Sequence, residues 1–213
     1  MLKPEFNLLI DELPSTVEVD GSSFFVNTDF KYGILFNQCL NDEDISSEEK
    51  MIHCIDIGFK DEIPDNILEG FNKLVEFYSC SKLDAVDRSK KKESDDENND
   101  SIVETEYENI ENNKVLFDFD VDHILIYSTF MQVYKIDLID TEMHWYKFIG
   151  LLRGVFDENN LTKVLQFRAM KIDPKTSPDM KKYYRNMKKH YEIEKYSSEE
   201  KESMKQSLQD EWG

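Results

Sequence analysis

Residues 89–100 read SKKKESDDENND, twelve positions without one apolar side chain. They sit in a longer stretch, 84–114, with eleven acidic and five basic residues and mostly asparagine and serine between them. Such a segment cannot bury enough apolar surface to offset the entropy of ordering it. It is expected to be a disordered loop or linker, with a solvated helical extension as the alternative. The stretch divides the chain, so any core must be built jointly by 1–83 and 115–193.

Those two parts have the means. Of the 213 residues, 39% are apolar and 12% aromatic, which excludes global disorder. Glycine (7) and proline (5) are scarce. Sandwiches and barrels need many turn residues, so the expected class is mostly α: a helical bundle-like domain with a small N-terminal β-hairpin. The formal net charge of −19 repels phosphate backbones, so nucleic acid is not an expected partner. Three cysteines, Cys39, Cys54 and Cys80, make no disulfide framework and are expected as reduced, mostly buried thiols. The start, MLKPEFNLLIDELP, lacks the apolar core of a signal peptide, and no stretch approaches 18 uncharged apolar residues, so no membrane contact is expected.

Local patterns place the elements. Val17 and Val19 alternate with polar residues, Gly21-Ser22-Ser23 offers a turn, and Phe24-Phe25-Val26 returns as the second strand. A helix over 29–41, capped by Thr28, would turn Phe30, Ile34, Leu35 and Cys39 inward. A second, from Ser46 or Ser47 to about Ile57, would bury Met51, Ile52 and Ile55. Pro64 and Asp65 suit the start of a third, whose stripe is Ile67, Leu68, Phe71, Leu74, Val75 and Tyr78. Beyond the acidic stretch, residues 115–117 form a short strand or a helix lead-in. Asp118 or Asp120 would cap a helix carrying Ile124, Leu125, Tyr127, Ser128, Met131 and Tyr134. The most apolar helix starts at Thr141, carries Trp145, Phe148, Ile149 and Leu152, and ends at Gly154. Another spans 158–170 with Leu161, Val164, Leu165 and Met170. Residues 178–191 form a basic amphipathic helix with Tyr184, Met187 and Tyr191 on one face, and 194–213 an exposed helix or tail.

VNTDFKYGILF (26–36), IPDNILEGFNKLVEFYSCSK (63–82), FDFDVDHILIYSTFMQVYKIDL (117–138) with MHWYKFIGLLRGV (143–155), QFRAMKID (166–173) and MKKYYRNMKKHY (180–191) occur in that order. Together they resemble the blocks of the bacteriophage "gene product fifteen" family over most of 13–193. The resemblance implies a small protein of a phage tail module, acting in the host cytoplasm as a tail-assembly chaperone. Such a protein binds the long tape-measure protein before the tail tube polymerises, and is absent from the finished particle. It carries over no functional residues.

Site chemistry is sparse in the sequence. His53 and Cys54 are adjacent, which on a helix points them about 100° apart, and no short-spaced ligand pairs accompany them. DFDVD (118–122) stacks acids like a calcium loop, but His123 and Thr129 stand where that loop needs glycine and glutamate. It reads instead as a helix amino terminus favoured by acids. His144 has no nucleophile signature around it, and no glycine loop could cradle phosphate. No catalytic residue, cofactor or metal is expected, and the chain is read as a non-enzymatic binding protein. An apolar helix groove is the expected means of contact, with Phe71, Phe77, Trp145, Phe148, Tyr184 and Met187 as candidate partner-binding residues, each also explicable as core. The alternatives are a structural virion component, such as a head–tail connector or tail-completion protein, and an acidic host-directed regulator that mimics DNA. A homo-oligomer is compatible with the sequence.

Overall fold

A computed structural model describes residues 6–83, 117–155 and 159–193. The expected acidic loop and the expected C-terminal tail lie outside the described residues. The rest is mostly helical, with a two-stranded antiparallel hairpin.

Strands β1 (Thr16–Val19) and β2 (Ser22–Phe25) pair with Val19 opposite Ser22. The turn is therefore Asp20-Gly21, not Gly21-Ser22-Ser23. Both residues have positive φ, at 49° and 77°, as a two-residue turn that matches strand twist requires. Helix α1 spans Phe30–Asn41, and its cap is Asp29 rather than Thr28. The Asp29 carboxylate accepts from the Lys31 amide at 3.0 Å and, through its other oxygen, from the Met143 amide at 3.1 Å. Helix α2 (Ser47–Gly58) begins with a complete capping box between Ser46 and Glu49. Helix α3 (Ile67–Tyr78) is capped by Asn66, and Pro64 lies buried before it instead of inside its first turn.

The second part contributes α4 (His123–Thr129), which runs into one wide π turn, Phe130–Tyr134, ended by Lys135 at φ 58°. Helix α5 (Trp145–Arg153) starts later than expected, because His144 is its cap. Helix α6 is Asn160–Ala169 and α7 is Pro178–His190, with Pro178 in the first turn, where its missing N–H costs nothing.

Residues 28–30 join the two parts. The Phe30 amide donates to the Met143 carbonyl at 2.8 Å and the Trp145 amide to the Thr28 carbonyl at 2.6 Å. The start of α1 is thus laced to the start of α5 across the acidic stretch. Around this junction lies one aromatic core. Phe148 stacks with Phe30 at 4.9 Å and with Phe130 at 5.1 Å, and Phe36 stacks on Tyr78 at 4.4 Å. The Trp145 indole donates to the Tyr78 carbonyl at 2.9 Å.

Three inward assignments need correction. Leu35 is half exposed while Phe36 and Gly33 face the core, Ile52 is exposed while Cys54 and Ile55 are buried, and Ile67 and Leu68 lie outside the buried stripe of α3. Each helix keeps part of the expected face, Phe30 in α1, Ile55 in α2 and Leu74 and Tyr78 in α3, so the buried stripe is shifted by less than the 100° of one residue. No helix among the described residues is long and apolar enough to cross a membrane.

A candidate docking groove

Helix α1 presents two apolar sides. One packs Phe36 and Gly33 inward; the other carries Phe30, Ile34 and the stem of Lys31 toward α4. Helix α4 divides likewise: Ile126 and Thr129, with Phe130 just after them, point into the core, Tyr127 is half-buried and Ile124 is left outward. Between the helices runs an open groove of about 660 Å³. Phe148 and Ile126 floor it, Ile34 and Phe119 line it, and Ile124 and Ile139 stand at its rim, 66% and 69% exposed. From Phe30 to Gln38 the α1 wall is about 12 Å long, or roughly two helical turns.

Polar groups sit at the edges and are tied down. Gln38 donates to the Asp120 carboxylate, joining the walls. Lys31 lies 5.7 Å above the Phe30 ring and donates to the Ile139 carbonyl at 3.4 Å. A His123 ring nitrogen is 2.6 Å from the Asp120 carbonyl. The Tyr127 phenol is held above its ordinary pKa, by desolvation first and then by the Asp137 carboxylate. These contacts fix the rim while the middle stays apolar, which suits burial of another apolar surface better than bond-making.

Of the six residues expected to meet a partner, only Phe148 borders the groove, as its floor. Phe77, Trp145 and Phe148 are core side chains, each at most 4% exposed, and sealed atoms offer no docking surface in this conformation. Phe71 is half-buried against the core, while Tyr184 and Met187 are half-buried on α7. The sequence reading missed Ile139 and named Ile124 only as part of the apolar pattern of its helix. A signal was present, since the apolar residues of 124–131 are too many for one helical face.

The DFDVD run is structural. The Asp122 carboxylate is 1% exposed and binds both terminal nitrogens of the Arg168 guanidinium at 2.7 and 2.9 Å; Asp118 accepts from the amides of Asp120 and Val121. Among the described residues no three His, Cys, Asp or Glu side chains gather as a metal ion would need. His144, the other histidine of interest, caps α5 through Nδ1 and reaches the Pro14 carbonyl through Nε2.

The family model for the bacteriophage Gp15 protein matches residues 9–193. The chain belongs to this family. It is therefore a phage, virion-related protein, and the match spans the groove, the core and α7. Comparison with curated proteins found no match. Comparison with solved structures found none either.

Proposed function

We propose that this Gp15-family protein is a non-enzymatic tail-assembly chaperone of the host cytoplasm, whose α1–α4 groove holds an amphipathic helical stretch of the tape-measure protein until the tail tube forms. The observation that carries this reading is the groove itself. In a molecule whose core seals Phe130, Trp145, Tyr146 and Phe148, an apolar channel two turns long is left open, rimmed by two isoleucines in water. A helix laid along it buries apolar residues at positions i, i+3/i+4 and i+7. The net charge of −19 keeps a loaded complex soluble.

Co-expression with the tape-measure protein of the same phage is the test. The tape-measure protein is expected to be soluble only when this chain accompanies it. The pair Ile124→Asp and Ile139→Asp is expected to abolish that rescue while leaving the fold intact, since both residues lie at the surface. A tape-measure protein equally soluble without this chain removes the chaperone reading. Stoichiometric recovery of the chain from purified virions assigns it to the particle instead.

A further inference from the structure

Charge is segregated along this chain. Residues 6–83 hold sixteen acidic and five basic residues, whereas 160–193 hold nine basic and three acidic. The basic excess centres on α7. Its inner side, Tyr184, Met187 and Tyr191, packs toward α6, where Tyr191 stacks on Phe167 at 5.7 Å. Its outer side exposes Lys182, Arg185 and Lys189, while Met180 and Tyr183, 42% and 47% exposed, lie on the flank toward α6, where Tyr183 meets Phe167 edge-on at 6.3 Å. Three exposed cations on one side of a helix fit a surface that presents acids.

The connection from α2 into α3 is such a surface. Asp61, Glu62 and Asp65 are exposed there, interleaved with Ile63, Ile67 and Leu68, the last 64% exposed. The segment is held in shape. Pro64 is buried, and Asn66 both caps α3 and donates to the Asp20 carboxylate at 3.1 Å. A held segment loses little entropy on docking.

We infer that copies of this protein associate head to tail, the basic outer face of α7 on one copy docking on the acidic, apolar edge 61–68 of the next. Each copy carries one surface of each kind, so the contact is heterologous and propagates as a ring or a filament. A nucleic acid is the weaker fit to α7. It meets the cations of α7, but the net charge of −19 over the whole molecule repels it. The inference uses neither the groove nor the tape-measure protein, so it stands or falls separately from the chaperone reading.

Sedimentation velocity on the full chain tests it. At about 0.01 M salt, species of at least twice the monomer mass are expected at high concentration. They are expected to vanish toward about 1 M, as the screening length shrinks from about 30 Å to about 3 Å. A helix variant with Lys182→Gln, Arg185→Gln and Lys189→Gln, and an edge variant with Asp61→Asn, Glu62→Gln and Asp65→Asn, are each expected to stay monomeric, with unchanged circular dichroism. Mixed in equal amounts they regain one contact, the intact helix of one on the intact edge of the other. The mixture is then expected to stop at a heterodimer. Wild-type protein that is monomeric at every concentration overturns the inference. So does association that survives the edge variant, which would place the acidic partner elsewhere, such as residues 84–114. A monomer that instead shifts labelled duplex DNA through α7 assigns that face to nucleic acid and also overturns it.

Discussion

Arg168 and Asp122 stand 46 positions apart in sequence and lock α6 to the start of α4 in the interior. Their side chains are 6% and 1% exposed, both bonds are short, and the Arg168 Nε also donates to the Tyr191 carbonyl just past α7. Removing one member takes the counter-charge from a buried ion, which costs about 3–5 kcal/mol. That is a large share of a typical total stability of about 5–15 kcal/mol. Asp122→Ala and Arg168→Met are each expected to lower the urea midpoint by about 1.5–2.5 M, taking a slope of about 2 kcal/mol per M. The double variant Asp122→Leu/Arg168→Met buries no charge. It is expected to cost far less than the sum, because apolar replacement of a buried pair is often neutral or better. Urea titration followed by far-ultraviolet circular dichroism measures all three. Single variants that move the midpoint by less than about 0.5 M, or a double variant that shows the full sum, refute the claim that burial and pairing are coupled here.

Three further outcomes follow from the core. Gly33→Ala places a methyl 2.2 Å from the Trp145 ring, which is buried and pinned by its bond to the Tyr78 carbonyl. Overpacking of about 1–3 kcal/mol should therefore exceed the gain in helix propensity of about 1 kcal/mol, and a thermal melt should fall rather than rise. Burial holds the His144 pKa below its ordinary value, and the folded state uses the neutral ring, with Nδ1 accepting from the Tyr146 amide. Its contribution is full above the unfolded pKa of about 6.5 and is lost as pH falls through the lower folded value. Stability should thus drop more steeply between about pH 7 and 5 in wild type than in His144→Asn, measured by denaturation at each pH. The Cys54 thiol is pushed up from 9.0 to about 12, by burial first and then by Cys39. Its thiolate is far scarcer than in an open thiol, so alkylation of Cys54 at mild alkaline pH, followed by mass mapping, should be much slower in the folded protein than after unfolding.

How much of this was legible in the sequence depended on how many faces each helix uses. Helix α3 keeps Leu74 and Tyr78 inward, so the inner half of its stripe was readable from spacing alone, whereas Phe77, buried beside them, lay outside that stripe. The central place of Trp145, Phe148 and Ile149 followed from a run too apolar to sit anywhere else. The hairpin was legible in outline, but its turn was displaced by a residue, because serines after Gly21 resemble turn residues while the residue that joins Gly21 at positive φ is Asp20 before it. The Asp122–Arg168 pair gave no local signal, since each residue taken alone resembles an ordinary surface charge. The caps Asp29 and His144 were missed for a related reason, as both are chosen by the long-range lacing of residues 28–30 to 143–145.

The groove was illegible for a reason that also argues for its use. Phe30, Ile34, Leu35, Phe36 and Leu40 place apolar groups around much of α1, and a helix of that kind has more surface to bury than one core contact supplies. Which side faces the core is decided by Gly33, the one position in that helix narrow enough for the flat of the Trp145 ring to approach. Once that approach fixes the rotation, Ile34 is carried into the groove and Leu35 toward water, and the same logic on α4 leaves Ile124 outside. A rotation that sealed Ile34 and Leu35 would open a gap beneath Trp145, at a cost of several kcal/mol. The exposed isoleucines are therefore set by the best packing of the core, and in the function proposed above a helix of the tape-measure protein is what covers them.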